Sequence, residues 1–384
     1  MVVKERSYDL AVVGSDMLGI AHAFEAAIRG LSVIVIDENE YSLSHQSKTS
    51  QENQLIWPIG QPSHLLDRVM HTRERFIKLA YTIGFPIHKT GSLHLAYQED
   101  ELNVLEEFMA TTSRQAYQCK MLTPEETIEH SQVVRPIGLE GAMYSMTECS
   151  LNFAEARKEI TAYLQKELSV QFIYGATIEH ISDSYIYGNL HQWKAERIIV
   201  CSEKSSKNLF PQLFQERRKE VIHQTTLSIP QTSNFELGPN IAAGLAILNS
   251  PSFAHCVSLR ALQQRVEKEY KSYFTAGLHS FFTQVKKGEC LIICREQQAE
   301  GDSSLAPEES RTLILKHLKK SLQIPNWEIS TVSEQVYTKL AMEQSEGIFQ
   351  AAENVWVVGG LEVQETTFSF GLAKEILDGK LTTI

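Results

Sequence analysis

With 384 residues, 43% of them hydrophobic and 22% charged, the chain can bury one large or two moderate cores, which excludes disorder as its ground state. A formal charge of −11, with cations gathered only in short pairs such as Lys286-Lys287 and Lys319-Lys320, argues against nucleic acid as a partner. A surface for phosphate backbones needs a basic patch. The N-terminal stretch is charged and no segment approaches about 18 uninterrupted apolar residues, so neither a leader nor a membrane span is expected, and the expected location is cytoplasmic.

In chain order, residues 10–13 read as a buried strand and lead into a tight turn, "GSDMLG". A helix with apolar residues at helical spacing starts near Met17 and meets a capping glycine at Gly30; "LSVIVID" then forms a second buried strand, completing a βαβ unit. Residues 84–147 mix the alternating run "GSLHLAY" with the helix "EDELNVLEEFMAT". "RIIVCS" (197–202) is another buried strand. Residues 209–333 carry alternating segments around "SFFTQV" and "ECLIIC", helices near 260–272 and 308–322, and a loop at 298–308. "NVWVVGG" (354–360) precedes a closing helix marked by Phe368, Leu372, Ile376 and Leu377.

The pattern predicts an α/β protein with a discontinuous dinucleotide-binding domain (1–83, 148–208, 334–384) and a second, sheet-containing domain (84–147, 209–333). Residues 10–13, 33–36 and 356–358 are expected as neighbouring strands of one parallel sheet, because such apolar runs need cover on both faces. The six cysteines are scattered and fit reduced, buried thiols. Cys290 and Cys294 fall on one face of a strand-like run with no histidine nearby, so no metal is assigned.

In a dinucleotide site the first glycine permits the strand-to-helix turn, the second lets the backbone approach the pyrophosphate, and the third packs helix on strand. Gly14 and Gly19 can fill the first and third roles; the second position is Asp16. Asp37, about twenty residues on and followed by Glu38, stands where an acid would bond the ribose hydroxyls. Asp16 is the difficulty. Two like charges at 4 Å repel by about 4 kcal/mol at an effective dielectric near 20, so the carboxylate opposes a bound pyrophosphate. It is expected to turn back and cap the helix, accepting its main-chain N–H groups.

The chain resembles FAD-dependent oxidoreductases of the D-amino-acid oxidase and glycine oxidase superfamily, particularly the branch associated with phosphonate catabolism. The resemblance rests on the βαβ unit, "WPIGQ" (57–61), "GSLHLA" (91–96), "LNVLEEF" (102–108), "LGPNIAAGLAIL" (237–248), "GLHSFFTQ" (277–284) and "SFGLA" (369–373), in the expected order. It implies a Rossmann-like FAD domain with an inserted mixed-sheet α+β substrate domain. It also implies oxidation of a C–N bond in a small amine, amino acid or aminophosphonate. The residues it places at the cofactor are Gly14, Asp16, Gly19, Asp37, Glu38, Ile178 and Gly360.

Departures from the family pattern fall where the family touches its flavin. Glu52 and Gln54 stand in the turn before Trp57, Ser202-Glu203-Lys204 replace a small turn after "RIIVC", and Glu362, Val363 and Glu365 fill a turn the family keeps glycine-rich. An alternative therefore stands beside the oxidoreductase: a degenerate homologue that binds no FAD and serves as a small-molecule binder or partner subunit. Trp57, Gln61, Gln224, His279 and Tyr337 are substrate-pocket candidates, and Gln284 is a further one; a core tryptophan and a structural histidine are the plain readings of Trp57 and His279. Gln297 stands where the family's later imidazole is expected, and glutamine is no acid or base. No catalytic residue is assigned.

Overall fold

The computed structural model describes residues 7–39, 53–112, 117–189, 191–215, 219–298, 306–340, 347–359 and 365–379. Strand Ser7–Val13 lies between Val33–Ile36 and Gln192–Val200, parallel to both, with Leu10 opposite Val33 and Arg197. Gln171–Ile173 extends the sheet beyond Val33–Ile36, and Val355–Val358 extends it beyond Gln192–Val200, again parallel. Leu10, Val12, Val33 and Val35 point into one core with the helices Met17–Ala27, Phe153–Lys166 and Glu365–Leu377, while Ala11, Val13, Ile34 and Ile36 point into another. Both faces are thus covered, which is why these runs are apolar without alternation. Residues 10–13 and 33–36 are neighbours as expected, but 356–358 is separated from 10–13 by Gln192–Val200. Only the second half of that strand is an apolar run.

A second sheet runs Thr331–Leu340, Lys219–Pro230, Glu289–Gln298, His279–Lys286, Asn240–Ala242, Ser92–Ala96, Gly141–Ser145, Cys119–Leu122. It is antiparallel apart from the pairing of Asn240–Ala242 with Ser92–Ala96. Strand Thr331–Leu340 crosses the expected boundary at 333/334 and belongs to this second sheet through its pairing with Lys219–Pro230. A small third sheet joins Asn53–Ile56, Cys149–Asn152 and Ile87–His88. Cys290 and Cys294 lie in the apolar core, where burial pushes the Cys290 thiol up to about 12. Among the described residues no helix is long and apolar enough to cross a membrane.

The closing helix Glu365–Leu377 packs against Leu66–Ile83 at a glycine. Gly371 donates its N–H to Thr72 Oγ1 (2.9 Å), and a Cβ there would come within 2.1 Å of the Arg68 carbonyl oxygen. Gly371→Ala is expected to destabilise the fold by about 2 kcal/mol by forcing the helices apart. An unchanged denaturation midpoint would show that the contact yields freely.

Candidate functional site

The glycine turn sits at the C-terminal edge of the parallel sheet, where ligands of open α/β folds bind. Gly14 adopts φ +109°, and a Cβ on it would lie 2.8 Å from the Ser202 nitrogen; one on Gly19 would lie 2.1 Å from the Gly14 oxygen. Both glycines are therefore demanded by the packing of this chain on itself. Asp16 occupies the N-cap position of Met17–Ala27 with extended backbone (φ −70°, ψ 174°), but its side chain makes no cap hydrogen bond. Instead Arg157 Nη1, from helix Phe153–Lys166, donates to Asp16 Oδ1 at 2.9 Å. The expected capping carboxylate is thus corrected: a charge-assisted bond to a guanidinium takes it.

Asp37 is nearly buried, and both of its oxygens are occupied. Oδ2 accepts the Ser15 N–H (2.7 Å) and Ser15 Oγ–H (2.6 Å), while Oδ1 accepts the Asn39 N–H (2.8 Å) and Asn39 Nδ2–H (2.9 Å). Glu38 pairs with Lys204 Nζ at 2.9 Å, which ties the end of the second strand to helix Glu203–Leu209. Glu203 turns to Lys207 at 2.5 Å. Ile178 opens the edge strand Ile178–Ser182, opposite Gly188. Just before it, Gly175 and Ala176 donate their N–H groups to the carbonyls of Asn39 and Asp37. Gly360, Glu52, Glu362 and Val363 lie outside the described residues, as do the side chains of Gln54, Gln297, Tyr337 and Glu365.

On the second sheet, register assembles a polar row. Gln335, Gln224, Arg295 and His279 stand directly opposite one another on successive strands, so they share one face. Arg295 Nε donates to Gln224 Oε1 at 3.0 Å. Tyr337 pairs through its backbone with Ile222 and is not part of the row. Gln284 is spent on the Leu237 N–H and the Phe235 carbonyl, a structural role.

Trp57 stacks on His279 (centroids 5.2 Å, 11° between planes), takes Phe281 edge-on, and has Gly60 so close that a Cβ there would lie 2.7 Å from its ring. Its faces are used by the protein. His94 lies beyond at 6.3 Å and belongs to a buried chain: His94 Nε2 to Ser92 Oγ (3.2 Å), Ser92 Oγ to Glu148 Oε2 (3.0 Å). Burial holds His94 and His279 down to about 3, so both are neutral and poor bases at neutral pH. A buried, neutral His279 fits the structural reading of that residue better than a titrating role in a pocket. Burial raises Glu148. Trp57 Nε1, Gln61 Oε1, His94 Nδ1 and His279 Nε2 are buried without a hydrogen-bond partner, a concentration of polar atoms that protein interiors seldom leave unsatisfied. Sequence reasoning missed Ser15, Asn39, Arg157, His94, Glu148 and Arg295, and it named Lys204 without its partner Glu38. For His94 a signal existed, since "GSLHLA" alternates polar and apolar residues.

The model of the family described as DAO, FAD dependent oxidoreductase, matches residues 9–378. The chain belongs to this FAD-dependent oxidoreductase family. No curated protein sequence matches it. Among solved structures it is similar to L-proline dehydrogenase from P. horikoshii (TM-score 0.73, 16% identity, covering 99% of this chain and 95% of that one). L-α-glycerophosphate oxidase from Mycoplasma pneumoniae with FAD bound is similar too (0.71, 15%, 97% and 94%), as is glycine oxidase from Bacillus cereus ATCC 14579 (0.69, 12%, 98% and 96%). At these identities the likeness shows the fold.

FAD is the family's cofactor, but the residues at this edge do not fit its adenosine and pyrophosphate end. The acid that would bond the ribose has both oxygens committed to Ser15 and Asn39, and the pyrophosphate position holds a carboxylate tied to Arg157. Glu38 is bridged to Lys204 across the same edge.

Proposed function

We propose that this member of the DAO family works without FAD, as a small-molecule binder or partner subunit, its ligand being a small amino acid, amine or aminophosphonate. The observation that carries the reading is the saturated Asp37 carboxylate, four donors on two oxygens, beside an Asp16 whose carboxylate is held by Arg157 at the turn. Support for the ligand class comes from the row on the second sheet: Arg295 supplies a positive charge suited to a carboxylate or phosphonate, beside unpartnered atoms of Trp57 and His279.

A second reading, FAD-dependent oxidation of a C–N bond in the same ligands, is favoured by the family match over residues 9–378. Thermal shift of the purified protein against amino acids, alkylamines and aminoalkylphosphonates, without added FAD, separates the two. The proposal expects a rise in Tm with an anion-bearing ligand that Arg295→Met removes. Oxidised product formed on addition of FAD would replace it with the second reading.

A further inference from the structure

We infer that a second ligand site, distinct from the sheet edge and the polar row, lies on the outer face of helix Leu66–Ile83 and takes an amphipathic organic anion. A shallow recess of about 670 Å³, open to solvent, lies there. Its floor is apolar, with Ile77 and Phe85, and Tyr81 stands at it 93% exposed.

Charge selects the ligand. Arg73, Lys78 and Lys89 line the recess against one acid, Glu74, in a chain whose formal charge is −11. Among the described residues none of these three cations is paired with a carboxylate. Arg73 is held in place by donating its Nε–H to the Thr147 carbonyl at 2.5 Å. A bare inorganic anion gains little from solvated lysines, and a neutral apolar molecule makes no use of them. An apolar body carrying a carboxylate, sulfonate or phosphate uses both. The site is independent of the flavin reading, since none of its residues touches the sheet edge.

Two fluorescent probes test it: anilinonaphthalene sulfonate, which is apolar and anionic, and the neutral N-phenylnaphthylamine. Saturable binding of the sulfonate is expected, weakened about tenfold in Lys78→Glu/Lys89→Glu, with the neutral probe changed less than about twofold. Tyr81→Ala is expected to weaken both probes. The three side chains are surface groups whose replacement leaves folding intact, which circular dichroism checks. Sulfonate affinity unchanged in the charge-reversed variant, or lost equally for the neutral probe, would overturn the proposal.

Discussion

Asp37→Ala is expected to destabilise the folded protein by about 3 kcal/mol, roughly 5 °C in Tm, with no ligand present. The substitution strips an acceptor from four donors at once, two of them main-chain N–H groups of Ser15 and Asn39. A net loss of about 1.5 kcal/mol for a hydrogen bond to a charged group would give a larger sum, but water can enter this edge and replace part of it. Asp37→Asn keeps the shape and turns an NH₂ toward two donors, so it should lose about 2 kcal/mol. Glu38→Gln, which gives up a pair with an exposed lysine, should shift stability by less than about 0.5 kcal/mol. Chemical denaturation of the three variants checks the order. An Asp37 waiting open for a ribose would behave differently: its alanine variant would melt with the native protein.

Acid is expected to unfold the protein well above the pKa range of its carboxylates. His22, His94 and His279 are buried, and burial holds them down to about 4, 3 and 3. The unfolded chain binds their protons from about pH 6.5 downward while the folded chain refuses them, so stability is lost as pH falls from about 6.5 toward 4. With the half-buried His317, held down to about 4 as well, four such groups give an upper bound of about 5 kcal/mol per pH unit. Glu148 works in the opposite sense: its folded value is raised by burial, so its contribution is present at low pH and lost as pH rises through that value. Asp16, Glu101 and Glu296 are raised by burial in the same sense as Glu148, but the lowered carboxyls of Asp9, Glu25, Glu107, Glu289 and Asp378 act with the imidazoles, which leaves acid destabilisation as the net result. Urea denaturation at pH 7.5 and 5.5 measures it, and His94→Gln/His279→Gln should flatten the slope by about half. Equal stability at both values would refute the assignment of neutral buried histidines.

The elements of this fold were legible wherever a single period dominated. The helix at "EDELNVLEEFMAT" spans Glu99–Thr111 as its spacing implies, and the apolar runs at 10–13 and 33–36 pair as neighbours. The site was legible only as a set of positions. Asp37 and Asp16 were visible as acids, but their partners Ser15 and Arg157 depend on which segments the fold brings to one edge, and Arg157 is 141 residues away from Asp16 in sequence. The polar row was hidden for a similar reason: Gln224, Arg295 and His279 line up only when three strands take one register. Trp356 was placed beside the first strand because Gln192–Val200 begins with "QWKAER", too polar at its start to announce a central strand.

The central claim is that the sheet edge is closed by the chain's own contacts. Titrating FAD into the purified protein while following flavin fluorescence tests it most directly. No saturable change is expected up to about 100 μM, and Asp16→Gly should not restore binding, because Asp37 remains held by Ser15 and Asn39. A stoichiometric flavin complex with a micromolar Kd in the native protein would contradict the account.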